Sequence, residues 1–292
     1  MSLQGGLAVE RMCFVAGVSR AGFYRYLRTQ VPWQEEMAVR SEVHRIALEH
    51  CGRYGYRRIT AELRRQGMHV NHKRIARLMR EDNLVSRNVA QCMGDSVGQG
   101  NQSEIYLNLA NRMKLTGPNQ VWVADITFIR LKREFVYLAV VLDKFSRRVV
   151  GWNLGRTLTA RLPLAALEMA LASRTPAPGL VHHSDRGAQY AHSEYLRTLR
   201  HHGVIPSISR PGKPYDNGHC ERFFRTLKEE EISTKEYGDL EELRLHIGDF
   251  IERYYNQLRL HSALGYVAPV EYERTTASSD AASMPNGAQV AL

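Results

Sequence analysis

Val121-Trp122-Val123-Ala124-Asp125-Ile126-Thr127-Phe128-Ile129-Arg130 puts Val121, Val123 and Asp125 on one face of an extended chain. A short polar link, Leu131-Lys132-Arg133-Glu134, leads into residues 135–142, a continuous apolar run of the kind a central strand carries. The brevity of the link makes the two strands a hairpin. Residues 148–154 read as a third strand. The period then changes. Residues 159–173 carry Leu162, Ala165, Ala166, Met169 and Ala170 at helical spacing. Residues 180–183 form a fourth strand that ends at Asp185, 195–201 a helix and 204–208 a fifth strand. Gly212 and Pro214 mark a loop, and another helix opens near Asn217.

Three antiparallel strands, helix, strand, helix, strand, helix is the order of a ribonuclease H-like core. This is an α/β fold with a mixed five-stranded sheet flanked by helices. In that arrangement the first strand and the end of the fourth lie side by side, and the last helix crosses them. Asp125, Asp185 and Glu221 should then converge. Thirty-five residues separate the second of these acids from the third. Three carboxylates without a good cysteine or histidine ligand set suit a hard cation, magnesium or manganese, and such ions usually serve phosphate chemistry. Two divalent ions can hold both oxygens of an in-line phosphoryl displacement. Asp125 suits the bridging position, and Asp185 and Glu221 the outer ones. Downstream of Glu221, Arg225 and Lys228 fall at i+4 and i+7 on its face. Taken alone, Glu221 and Arg225 are better read as a helix ion pair; with Asp125 and Asp185 they read as a site passed by a phosphate backbone. Asp143 is expected in a turn or ion pair, Asp216 and Asn217 as helix caps, and His182, His183 and His219 as orienting or DNA-facing groups.

Charge identifies the polyanion. The chain has 292 residues, a net charge of +10 and a pI near 9.6, which favours nucleic acid. The excess is concentrated at the front: residues 1–90 hold 16 Lys and Arg against 8 Asp and Glu. Cys13, Cys51, Cys92 and Cys220 form no CxxC pair, which argues against a disulfide framework. No apolar run could span a membrane, and no signal-peptide region opens the chain. The protein is therefore expected in the cytosol.

The basic front end reads as helices joined by turns. In residues 7–28 a helix meets a turn at Gly17, and Ser19 caps a basic aromatic helix. Helices follow at 42–50, at 57–66 with Arg57 and Arg58 and closed by Gly67, and at 72–82 with Asn71 as cap. In the last, Ile75, Leu78 and Met79 oppose a stripe of Lys73, Arg77 and Arg80, with Arg74 beside it. Helix, turn, basic helix is the helix-turn-helix outline. The expected organisation is a helical segment at 1–40, a helix-turn-helix DNA-binding domain at 41–86 and a small polar linker at 87–117. A catalytic core with C-terminal helices follows at 118–273, and a disordered tail at 274–292.

Several motifs belong to one kind. They are Val121-Trp122-Val123-Ala124-Asp125-Ile126-Thr127, Leu142-Asp143-Lys144-Phe145-Ser146-Arg147-Arg148 and His183-Ser184-Asp185-Arg186-Gly187-Ala188-Gln189-Tyr190. With them go Ser209-Arg210-Pro211-Gly212-Lys213-Pro214-Tyr215-Asp216-Asn217-Gly218 and Glu221-Arg222-Phe223-Phe224-Arg225-Thr226-Leu227-Lys228. From residue 9 to 273 the chain resembles the DDE transposases of the IS3 family, relatives of retroviral integrases. The resemblance implies metal-dependent cleavage and transfer of DNA strands at the ends of an insertion sequence. It implies Asp125, Asp185 and Glu221 as the catalytic and metal-binding triad, and Lys228 as a DNA contact. It also implies multimers on DNA and a first-reading-frame partner, separate or fused by frameshifting. The absence of a heptad run makes the second-frame product alone the expectation. Tyr255-Asn256, Arg259, His261-Ser262-Ala263-Leu264 and Pro269 resemble a C-terminal motif of the family that composition and spacing do not explain. Two other readings are a tyrosine recombinase, from the His183–Arg186 HxxR match, and a non-catalytic DNA-binding regulator, for which residues 7–86 would suffice.

Overall fold

The computed structural model describes residues 9–24, 34–82, 84, 113–132, 134–185, 187–209 and 217–282. The chain divides into two compact units, 1–86 and 87–292. The residues expected as a basic helix end at 25–28, most of the expected linker, the loop at Gly212 and Pro214, and residues 283–292 lie outside the described residues.

In the first unit α1 (Val9–Val15) ends at a turn where Gly17 takes a φ of +64°, a conformation cheap only without a Cβ. Ser19 Oγ then accepts the N–H of Gly22 at 3.0 Å, the expected cap, and residues 20–24 are helical. Three longer helices follow: α2 (Gln34–Glu49), α3 (Tyr56–Arg65) and α4 (His72–Glu81). Val39, Val43, Ile46, Ile59, Leu63, Ile75, Leu78 and Met79 are buried between them. Each contributes about 1.5–3 kcal/mol by leaving water. Asn71 Oδ1 accepts the N–H of Lys73 at 2.8 Å and starts α4 as expected. The expected boundary at 40/41 is corrected: α2 runs through it, because Val39 and Val43 continue the apolar spacing of Ile46 and Ala47 upstream. The charged Glu36 and Arg40 disguise that spacing. They are not free surface, since Arg40 pairs with Glu36, Glu81 and Asp82.

In the second unit a five-stranded sheet has the order β3-β2-β1-β4-β5. The strands are β1 (Val121–Arg130), β2 (Phe135–Asp143), β3 (Val149–Gly155), β4 (Val181–Ser184) and β5 (Ile205–Ile208). The first three are antiparallel; β4 runs parallel to β1, and β5 to β4. One face of the sheet, with Trp122, Ala124, Ala139 and Val141, packs on α5 (Arg161–Arg174) and α6 (Ser193–His201) through Leu162, Ala166, Leu167, Ala170, Tyr195 and Leu199. At Gly151 a Cβ would stand 2.1 Å from the carbonyl oxygen of Ala166, so glycine there sets how closely α5 approaches β3. Helix α7 (Gly218–Glu230) packs on β1 and β2. It is followed by a 3-10 turn (Ile232–Thr234), α8 (Leu240–Gly248), a π-helical segment (Asp249–Leu258), a second 3-10 turn (Ser262–Leu264) and α9 (Pro269–Ala282). The fold is the expected ribonuclease H-like α/β core, preceded by all-helical segments.

The expectation of a disordered tail from residue 274 is corrected over 274–282, which continue α9. Its Ala, Ser and Thr composition hides the anchor: Glu273, mostly buried, pairs with Arg148 and Arg174 and holds the helix against the core.

Candidate active site

The parallel pairing of β1 with β4 sets Val121 against Val181, Trp122 against His182 and Val123 against His183. Two residues beyond this last pair stand Asp125, within β1, and Asp185, just past the end of β4. The end of β4 is held from behind. His183 is fully buried and contacts Ser207 Oγ through Nδ1 (2.9 Å) and Ser209 Oγ through Nε2 (3.1 Å). Ser209 Oγ also donates to the carbonyl of Ser184 at 3.3 Å. His182 meets the hydroxyl of Tyr195 at 3.0 Å, and burial pushes its pKa down to about 3, so it is neutral. Both histidines are ties inside the fold. The DNA-facing alternative is excluded for them by their burial.

The third acid arrives on α7. Asn217 occupies the N-cap position, but its side chain caps nothing. Its amide Nδ2 donates instead to the carbonyl of Ala124 at 3.0 Å, tying the start of α7 to the residue before Asp125. Glu221 lies one turn further on and is exposed, as is Asp185, while Asp125 is partly exposed. Asp216 lies outside the described residues.

The electrostatics report the convergence. Desolvation pushes the pKa of Asp125 up to about 8, with the charge of Asp185 adding to it and that of Glu221 adding less. The one opposing influence of note is a 2.8 Å bond from the N–H of Ile126 to Oδ1. Asp185 is also raised, by desolvation, against a 2.9 Å bond from the N–H of Gly187. The buried thiol of Cys220 is driven up by burial and then by Asp125, Asp185 and Glu221 together. Tyr190, whose buried hydroxyl has no hydrogen-bond partner among the described residues, feels Asp125 and Asp185. Among the described residues, no three His, Cys, Asp or Glu side chains close around a common point as a finished cation cage. The corner is nevertheless a set of oxygen donors in which the charges of Asp185 and Glu221 raise the proton affinity of Asp125, and among the described residues the buried Oδ1 of Asn217 has no hydrogen-bond partner. A hard divalent cation fits that donor chemistry.

The cations expected to meet DNA differ in how far they are committed. Among the described residues Glu221 and Arg225 form no ion pair, and Arg225 is exposed. Lys228 Nζ lies 5.2 Å from the ring centre of Phe128. In the helical unit, Arg74 and Arg77 reach Glu36 at 3.6 and 3.2 Å, and Arg77 also reaches Glu81 at 3.7 Å. Arg58 lies over the ring of Tyr54, and Arg57 over that of Tyr56. Lys73 and Arg80 are exposed and have no ion pair among the described residues. Asp143 is buried and held in the β2–β3 turn, as expected. Sequence reasoning missed the Asn217 tether and the positions of Tyr190 and Cys220; a polar side chain beside a predicted helix start was the only available signal.

An integrase core domain family matches residues 116–214, a second integrase core model matches 202–269, and an HTH-like domain matches 33–90. The chain is 38% identical to the transposase for insertion sequence element IS904 of Lactococcus lactis over 243 residues, 82% of this chain and 96% of the relative. It is 33% identical to transposase InsF of insertion sequence IS3A of Escherichia coli, over 92% of this chain and 95% of the relative. Among solved structures it is similar to the catalytic core domain of HTLV-2 integrase in complex with magnesium, at 17% identity and a TM-score of 0.42 over 54% of this chain and 97% of that one. A simian T-cell lymphotropic virus intasome aligns at 18% identity and a TM-score of 0.47 over 86% of this chain and 80% of that one. Core, helix-turn-helix unit and relatives define a polynucleotidyl transferase that acts on DNA. The chain belongs to the IS3 family of insertion-sequence transposases, enzymes of the DDE class. Among the described residues no helix is long and apolar enough to cross a membrane.

Proposed function

We propose that Asp125, Asp185 and Glu221 are the catalytic residues of this transposase. In this reading they hold two divalent ions, magnesium or manganese, for cleavage and transfer of DNA strands at the ends of an insertion sequence. The observation that carries the reading is the raised proton affinity of Asp125, caused by burial and by the charges of the other two acids. A bound ion pair would supply activation of the attacking oxygen and stabilisation of the leaving one. The chain's own part is positional. Strand β1 fixes Asp125, β4 presents Asp185 from a buried and hydrogen-bonded end, and the Asn217 tether sets where Glu221 enters. Arg225 and Lys228 grip the phosphate backbone beside the carboxylates. Arg57, Arg58, Lys73, Arg74, Arg77 and Arg80 contact DNA from the helical unit, with Lys73 and Arg80, exposed and without an ion pair among the described residues, contributing more than Arg74 and Arg77, which reach Glu36.

Multimers on DNA in the bacterial cytosol, assembled with a first-reading-frame product, complete the reading; the first-frame partner rests on the family resemblance alone. The test is nicking and joining of labelled duplex carrying the element's terminal sequence, with manganese. Asp185→Asn should abolish both while leaving binding to the ends intact. Persistent strand transfer by that variant would remove the proposed site. A covalent DNA–protein adduct would replace it with the recombinase chemistry.

A further inference from the structure

The C-terminal motif left unexplained by sequence forms a strut against the helix that carries Glu221. Arg259 is buried, and its guanidinium grips Glu230 with both arms: Nε to Oε2 at 2.9 Å and Nη2 to Oε1 at 2.6 Å. Burial alone would lower the pKa of Arg259; the bonds and charge of Glu230 more than offset that and leave it raised. Tyr254 donates its hydroxyl to the same carboxylate at 3.3 Å. The ring of Tyr255 stands edge-on to Phe223, two residues beyond Glu221, at 4.8 Å between centres. Arg259 itself lies over Tyr255. On the other side of the segment, Asn256 behaves as an extra strand residue. Its Oδ1 accepts the N–H of Val149 at 3.0 Å, and its Nδ2 donates to the Val149 carbonyl at 2.9 Å. That is where the β2–β3 register shifts. The π-helical segment is thus fastened to the sheet through Asn256 and through Glu252, which accepts the indole N–H of Trp152 at 2.9 Å, and to α7 through Tyr254, Tyr255 and the adjoining Arg259.

Helix α7 is then a rod pinned at both ends. Asn217 holds its start to β1, and Glu230 holds its last turn to Arg259. Glu221 lies between, roughly 13 Å along the axis from Glu230 at 1.5 Å per residue. A straight helix transmits a shift or rotation of its far end to every side chain it carries. A neutral or monodentate partner in place of the two-armed pair would free that end, since a planar fork fixes orientation as well as distance.

We propose that Arg259, through Glu230, is a positioning residue for Glu221, and that the C-terminal motif thereby sets the affinity of the carboxylate corner for its divalent cation. The inference rests on the reading of the three acids given above. Nothing in it requires Arg259 to touch DNA.

The experiment uses the full chain without DNA and Mn2+ alone as probe, with binding followed by calorimetry and by the electron paramagnetic resonance signal of free Mn2+. Arg259→Lys keeps the charge and loses the fork, and Glu230→Gln loosens the same joint from the other side. Each should melt cooperatively and bind Mn2+ about tenfold more weakly, the scale seen when an outer partner of a metal ligand is lost. In a Glu221→Gln background, Arg259→Lys should cause no further loss, because the route runs through Glu221. Folded variants with wild-type Mn2+ affinity would overturn the proposal. So would an equal loss in the Glu221→Gln background, which would mean general loosening, or failure of both single variants to fold, which would make the pair a stability element only. Asp125→Asn separates the two readings. If it leaves Mn2+ binding unchanged, the carboxylate site itself falls; if it abolishes binding while Arg259→Lys does not weaken it, only the strut falls.

Discussion

Two carboxylates on the same sheet, Asp125 in β1 and Asp143 at the end of β2, are both raised in pKa by burial, yet their surroundings are opposite. Asp143 accepts the N–H groups of Asn119, Phe145 and Ser146 at 2.6, 2.9 and 2.9 Å, and the hydroxyl of Ser146 at 3.3 Å. The cations around it are spent as well, since Arg148 and Arg174 both bind Glu273. Among the described residues Asp125 accepts one bond, from its own neighbour Ile126, and it faces the charges of Asp185 and Glu221. Arg225, one turn beyond Glu221 on α7, is exposed and has no ion pair among the described residues. One region resolves its polarity internally and the other leaves it open. A buried polar group that is satisfied stabilises the fold; one that is not costs stability and is kept for what it binds.

The largest expected effect is on activity at the open corner. Asp125→Asn should lower end nicking on the order of 10²–10³-fold or more, the scale for removing one preorganised electrostatic element. Its thermal midpoint without metal should hold or rise, because the neutral amide needs no proton to be taken up on folding. The converse applies at the turn. Asp143→Ala strips an acceptor from three backbone donors and should cost about 3 kcal/mol in a urea melt, while nicking per folded molecule changes little. If the two variants exchanged these effects, the contrast would be inverted and the active site misplaced.

The contrast was half legible in the sequence. Alternation in 121–125 and the apolar run after it gave the strands, and the strand order brought the three acids to one corner. Asp143 beside Lys144, Arg147 and Arg148 already read as a turn residue. What joins the pieces was not legible, because each contact pairs a polar side chain with a partner far along the chain. Asn217 meets Ala124 across 93 positions, and Asn256 meets Val149 across 107. Short-range periodicity carries no trace of such pairs. The helix at 34–41 was hidden by its charged face, and the end of α9 by a composition that a single buried ion-pair network overrides.

A pH series sharpens the comparison further. Asp125 ionises at about 8 in the fold and near the ordinary carboxylate value when unfolded. Its protonated form is therefore favoured by folding. The stability linked to it is fully present at pH below about 4 and is lost as pH rises towards 8. The difference in unfolding free energy between wild type and Asp125→Asn, measured without metal, should shift in favour of the variant across that window and level off above it. Excess Mn2+ should reduce the slope. A difference that stayed flat from pH 4 to 8 would mean that Asp125 is solvated like a surface acid.

The smallest effect concerns the cations. Arg174 is nearly buried and committed to Glu273, so Arg174→Ala should appear in the melting curve rather than in DNA binding. Arg225 is exposed and has no ion pair among the described residues, so Arg225→Ala should leave the melt unchanged and act only through the polyanion. Losing one phosphate contact should reduce the slope of log affinity against log salt by about one and weaken different DNA sequences alike. The salt slope is the useful readout because a lost fold lowers active protein at every salt concentration equally, whereas a lost phosphate contact changes how steeply affinity falls. If Arg225→Ala kept the wild-type slope, Arg225 would be ordinary solvated surface. The open corner would then be defined by its acids alone.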